Sequence, residues 1–138
     1  MSASVPVVLM HNKNNCNYTN LIPDIINDLM NLMEKAGDLG IHTNNIILDP
    51  GIGFGKTPDQ NIEVLRNLEE FKKLGQPLMV GTSRKSTIGH VLDLATDDRI
   101  EGTAATVAIS ISKGADIVRV HDVREMIRVA RMSDAIIR

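Results

Sequence analysis

A parallel α/β chain, with strands alternating with covering helices, is what this sequence predicts. Three observations carry that prediction. Four short apolar runs rich in β-formers recur along the 138 residues, at 5–10, 46–49, 78–81 and 117–120. Each is followed by a stretch whose apolar residues repeat with helical period. The intervals between runs are too long for hairpins and long enough for the helical crossovers that parallel neighbours require.

The first run, VPVVLM, ends at Met10-His11-Asn12. The helix after it is predicted from Ile22, Ile25, Ile26, Leu29, Met33 and Ala36, and it stops near Gly37 or Gly40. Met30 and Met33 read as core filling. The second run, IILD, leads through Asp49-Pro50 into a glycine-rich loop. Thr57-Pro58-Asp59-Gln60 then reads as a helix start, with Thr57 as N-cap, Pro58 as first helical residue and Gln60 completing a capping box. Ile62, Leu65, Leu68 and Phe71 make the stripe of that helix, and Gly75 and Pro77 end it. The third run opens onto Gly81-Thr82-Ser83-Arg84-Lys85. A helix over 98–113 is rich in small residues (Ala104, Ala105, Ala108), so it packs close to a neighbour, and Gly114 closes it. The fourth run reaches Arg119, His121 and Asp122, and Val123, Met126, Ile127, Ala130 and Ile137 mark the last helix.

Four units make about half of a closed (β/α)8 barrel, which takes ~250 residues. A doubly wound sheet usually has five or more strands. On either architecture the outer strand edges need covering. The chain is therefore expected to form an oligomer or to be unstable.

Composition narrows the function classes. The chain is 43% apolar, with one Tyr, two Phe and no Trp, so its core is built from aliphatic side chains. Its net charge is −2 without blocks of like charge, which argues against nucleic acid as a partner. No apolar run approaches the ~20 residues of a membrane helix, and the start lacks the features of a signal peptide. A single cysteine, Cys16, cannot form an internal disulfide and reads as an inert thiol. A cytoplasmic setting is the expectation. No His, Cys, Asp or Glu group has the spacing of a metal site.

The polar residues cluster after the strands, where parallel α/β folds bind ligands. DPGIGFGKT, at 49–57, looks like a nucleotide loop but fails the count. Five residues before Gly55 stands Pro50, where a P-loop needs glycine. The glycines instead allow close backbone approach or positive φ. Asp49 suits an amidine- or guanidine-like edge, or else caps a loop amide. Arg119, read as the middle of an apolar strand, is costly unless paired. With His121 on the same face it suits phosphate or pyrophosphate, or else pairs with Asp49 or Asp122. Arg84 and Lys85 add positive charge beside hydroxyls, on a ligand face or a solvated loop. His11 is a ligand or a satisfied structural histidine, and His42 and His90 read as surface residues.

VVLMH, IILDPGIGFGKT, GQPLMVGTSRKSTIG, DRIEGTAATVAIS and KGADIVRVHDV, in this order, resemble the C-terminal half of dihydropteroate synthase from Val5 onward. The resemblance implies half of a TIM barrel of the (β/α)8 type. It implies transfer of a pterin from its pyrophosphate to p-aminobenzoate, a step of folate biosynthesis that sulfonamides block. By position it assigns Asp49, Lys85, Met10 and Gly81 to the pterin. Phe54, Ser83 and Arg84 fall to p-aminobenzoate, and Arg119 and His121 to pyrophosphate. Lys85, Arg119 and His121 are the implied catalytic residues. The family reaction is dissociative, and its Mg2+ is bound through the substrate pyrophosphate. The family's protein ligand to that ion, a metal-linked asparagine, belongs to the first four βα units. So do an arginine on the second loop and other residues of the pterin grip.

The resemblance also implies a partner, an N-terminal half-barrel or a second copy, and a homodimer built on the last helices. The segment NKNNCNYTN lacks the Gly-x-Pro turn of many relatives, and Thr87 stands where many carry a bulkier apolar residue. Two other functions compete: a catalytically incomplete half-barrel that binds ligands or assembles, and a folate-dependent methyl transferase. The pairing of GTSRKS with RVHD disfavours the methyl transferase.

Overall fold

The computed structural model describes residues 5–138. Val7–Met10 (β1) pairs in parallel with Ile46–Asp49 (β2), which sets Met10 opposite Asp49. Met79–Val80 (β3) pairs in parallel with Ile117–Val118 (β4). A parallel bridge from Leu48 to Leu78 joins the two pairs. Spatial order therefore follows chain order, β1-β2-β3-β4. A doubly wound sheet reverses its order at a switch point. Sequential winding is that of a (β/α)8 barrel, and these four βα units form half of one.

The helices are Leu21–Asp38 (α1), Pro58–Arg66 (α2), Leu68–Phe71 (α3), Ser86–Leu92 (α4), Ile100–Ser112 (α5) and Val123–Ile137 (α6). The main core joins Ile25 and Leu29 of α1 to Ile46 and Leu48 of β2, Val64, Leu68 and Phe71. Burying each such aliphatic side chain stabilises the fold by about 1.5–3 kcal/mol. A smaller cluster of Val107, Ile111 and Met126 ties α5 to α6. None of the described helices is long and apolar enough to cross a membrane.

The expected α1, β2 and α6 and the capping box at Thr57 are observed. Other elements differ, for local reasons. The helix expected through Phe71 breaks at Asn67, whose φ of −115° leaves the helical region and whose side-chain amide donates to Glu63 O at 2.8 Å. Met33 packs against the core, but Met30 is 53% exposed and fills nothing. α4 was not anticipated: seven residues with Gly89 inside show too little periodicity to stand out. β4 ends at Val118, so Arg119 lies beyond the strand with its side chain exposed. The cost expected for an arginine within an apolar strand does not arise.

Candidate functional site

The carboxyl ends of all four strands face one side of the half-barrel, and the last two loops are laced together there. Arg119 N–H donates to Val80 O at 3.0 Å. His121 N–H donates to Ser83 Oγ at 3.1 Å, and His121 Nδ1 lies 2.9 Å from the same oxygen. If that hydroxyl donates to Nδ1, Nε2 carries the ring hydrogen and is a donor. Arg84 adopts a left-handed φ of 58°, a strained state for a residue with a Cβ that needs support. Asp122 supplies it by accepting from Arg84 Nε at 3.1 Å and Nη2 at 2.5 Å. Thr103 Oγ1 accepts from Arg84 N–H at 3.2 Å, and Arg99 Nη1 donates to Arg84 O at 2.9 Å. The hydrogen-bonded ion pair raises the Arg84 pKa and lowers that of Asp122. Arg84 is thus a tie between loops, and Asp122 is its partner rather than that of Arg119.

Between these loops lies a cavity of about 270 Å³ lined by Gly81, Ser83, Lys85, Arg119, Val120 and His121. Among the described residues Arg119 makes no ion pair. An unpaired guanidinium beside an ammonium and an imidazole favours an oxyanion.

Asp49 is 7% exposed at the end of β2. Its Oδ1 accepts from Gly51 N–H at 2.8 Å, while Oδ2 makes no hydrogen bond among the described residues. Asp49 therefore caps a loop amide with one oxygen and leaves the other for a ligand. Burial pushes its pKa up, opposed by the Gly51 amide and by Lys85, Arg119 and Lys56. Lys85 Nζ donates to Ile52 O and lies 4.8 Å from the centre of the half-buried Phe54 ring, a cation–π contact. Burial lowers the Lys85 pKa, with Asp49 opposing and Arg119 adding.

The glycines serve close approach. A Cβ at Gly51, φ +71°, would sit 1.9 Å from His11 O, and one at Gly53, φ +83°, would sit 3.2 Å from Lys85 Cδ. Met10 stands apart from the anion cavity. It lines a second cavity of about 320 Å³ with His11, Asn12, Asp28, Asn31, Leu32 and Lys35.

Three further residues shape the site; the sequence offered Asp122 only as a partner for Arg119 and singled out neither of the other two. Asp122 holds Arg84. Asn61, 2% exposed, accepts from Gly53 N–H at 2.7 Å through Oδ1. Its only signal was a polar side chain beside the apolar stripe of α2. Lys56, 8% exposed, turns inward to His11 and the loop carbonyls. His11 is the satisfied structural histidine among its two readings. Among the described residues no group of three or more His, Cys, Asp or Glu side chains is placed to hold a metal. The anion cavity presents cations, so it fits a metal carried on phosphate oxygens better than a bare ion.

Known proteins share this sequence and this fold. The chain is 56% identical over 136 residues to the dihydropteroate synthase of Clostridium beijerinckii, matching 98% of the chain and 51% of that protein. It is 52% identical over 134 residues to the Bacillus subtilis dihydropteroate synthase, matching 97% of the chain and 47% of that protein. It superposes with a TM-score of 0.94 on the crystal structure of the Clostridium difficile dihydropteroate synthase obtained in the presence of pteroic acid. That match is at 48% identity and covers 96% of this chain and 51% of the other. The chain thus spans about half the length of the curated relatives it matches. Residues 1–121 match the family described as pterin binding enzyme. The chain belongs to that family.

Proposed function

We propose that this chain supplies four βα units of a dihydropteroate synthase, working with a further half-barrel. The reaction joins 6-hydroxymethyl-7,8-dihydropterin pyrophosphate to p-aminobenzoate, giving 7,8-dihydropteroate and pyrophosphate. The observation that carries this reading is the cationic cavity of Lys85, Arg119 and His121 close to Asp49, a buried carboxylate with one free oxygen. Asp49 would accept hydrogen bonds from the amidine-like edge of the pterin, with Lys85 bridging the ring and Met10 and Gly81 as more distant lining.

The bond between the pterin methylene and the pyrophosphate oxygen breaks first, and its electrons leave with pyrophosphate. Arg119 and His121 stabilise that charge as it develops. The aniline nitrogen then forms a bond to the methylene and releases a proton. Phe54 walls the p-aminobenzoate, while Ser83 and Arg84, held by His121 and Asp122, shape that side of the site. Mg2+ would arrive on the pyrophosphate and neutralise its charge.

The second half of the barrel is an N-terminal half-barrel or a second copy of this chain, the assembly dimerises through its last helices, and its setting is the cytoplasm. A second reading, a catalytically incomplete half-barrel that binds ligands or acts as an assembly module, is favoured in its assembly part by one observation. α6 leaves Val123, Ile127 and Ile137 at 62%, 47% and 44% exposure along one side, an apolar face open to assembly. Release of pyrophosphate from both substrates, measured with and without a complementary N-terminal half, separates the two. Turnover only with the added half is the expected result. Binding without turnover in either mixture establishes the second reading, and full turnover by the chain alone removes the need for a partner.

A further inference from the structure

The glycine loop holds a cation that the reaction above does not use. Lys56 has three N–H donors and three acceptors in range: Gly51 O at 3.0 Å, Phe54 O at 3.0 Å and His11 Nδ1 at 2.9 Å. No donor remains for a ligand, so this lysine does not serve a phosphate. An ammonium only donates, so His11 Nδ1 accepts, and His11 Nε2 carries the ring hydrogen. It donates to Asp28 Oδ2, 3.1 Å away. A chain of bonds thus runs from α1, through the residue after β1, into the loop after β2.

We propose that Lys56 is a positioning residue: aligned by His11 and Asp28, its ammonium fixes the backbone of residues 51–55 so that Asp49 and Phe54 stand in register with a bound pterin. This rests on the ring site proposed above. Every residue of the loop is pinned. Lys56 takes Gly51 O and Phe54 O, Lys85 takes Ile52 O, Asn61 takes the Gly53 amide, and Tyr18 OH donates to Gly55 O at 2.6 Å. Lys56 holds the two carbonyls that flank the Asp49 cap and the Phe54 ring. A buried cation is costly where an apolar side chain would fill the space. What the ammonium supplies is three fixed contacts from one atom.

The charged and titratable groups around Lys56 are His11 and Cys16 after β1, Asp49 at the end of β2 and Lys85 after β3, with Asp28 behind His11. Burial pulls the Lys56 pKa down to about 8, Asp49 and Cys16 oppose the shift, and Lys85 adds to it. Deprotonation leaves two N–H groups for three acceptors, so the loop loses one contact near that pH. Fold stability moves the other way. The unfolded lysine holds its proton up to 10.5, so between about 8 and 10.5 this residue adds stability as pH rises. Affinity and stability therefore separate.

The test uses the full chain with 6-hydroxymethyl-7,8-dihydropterin as probe, titrated between pH 6.5 and 9.5, with thermal unfolding in parallel. Wild-type affinity is expected to fall about fivefold or more through pH 8. Lys56→Met should bind about tenfold more weakly at pH 7 and lack that step. Asp28→Asn, at a half-exposed position, should move the step to lower pH, with Tm slightly lower at pH 7 and unchanged at pH 9.5, above the step. A Lys56→Met variant that melts earlier but keeps the wild-type affinity and pH step overturns the proposal, as does an Asp28→Asn variant with an unmoved step. If the wild type binds no pterin, the ring-site reading fails separately. Exchange of the Gly51, Gly53 and Phe54 amides in Asp28→Asn then decides: faster exchange supports positioning by Lys56, and unchanged exchange overturns it.

Discussion

Asp49 is held in a form that its surroundings disfavour. Burial raises its pKa above the ordinary 3.8, so between 3.8 and the raised value the folded chain binds more protons than the unfolded one. Stability falls as pH rises through that window, and the deficit persists at pH 7. Asp49→Asn removes it. The expected outcome is a Tm equal to or slightly above wild type, with pterin affinity about 100-fold lower, since charge-assisted hydrogen bonds contribute about 1.5–3 kcal/mol each. Thermal unfolding and a binding titration check this. A lower Tm with affinity retained would make Asp49 a loop cap only. The sequence singled out Asp49, Arg119 and His121 by residue type and by a place at or near the end of an apolar run, although it set Arg119 inside the strand. Lys56 was hidden because its meaning lies in His11, 45 residues away. Thr87 is unusual already in the sequence, but its cost appears only with packing: it is buried, and its Oγ1 has no hydrogen-bond partner among the described residues.

Elements fixed by neighbours in the chain were legible, and those fixed by distant contacts were not. The start of α2 is local: Gln60 N–H donates to Thr57 Oγ1 at 3.2 Å, and Thr57 N–H donates to Gln60 Oε1 at 2.8 Å. Thr57→Ala is expected to cost about 1 kcal/mol, read as a lower urea midpoint at unchanged slope. An unshifted midpoint would mean that packing of Val64 alone holds this helix. The stripe of α1 was equally plain, because its apolar spacing carries the whole signal. β3 and β4 are two residues each, and their ends are set by where the loops begin to bond one another. That is a tertiary fact, which let Arg119 pass for a strand residue.

At the level of the molecule, alternation of strands and helices revealed a parallel sheet, and sequential pairing makes it half a barrel. The outer strand edges were expected to lie open, but the side chains that stay exposed beside them were not legible. The exposed side chains of Val8 on β1 and Val123, Ile127 and Ile137 on α6 now mark them. Apolar surface and strand edges of this kind favour association. Sedimentation of the isolated chain should show a dimer or larger species that dissociates on dilution. A cooperatively folding monomer across micromolar concentrations would refute the need for a partner.

The ties between the last two units share one spacing. Leu78 to Asp116, Ser83 to His121 and Arg84 to Asp122 are each separated by 38 residues. They act as teeth of one ratchet, so a slip of β4 by a single residue breaks all of them together. The anion cavity then has no half-loosened form to occupy. Damage to the tooth outside the cavity lining, Asp116, would subtract whole competent molecules from a population, and those that remain would grip their ligand as tightly as before.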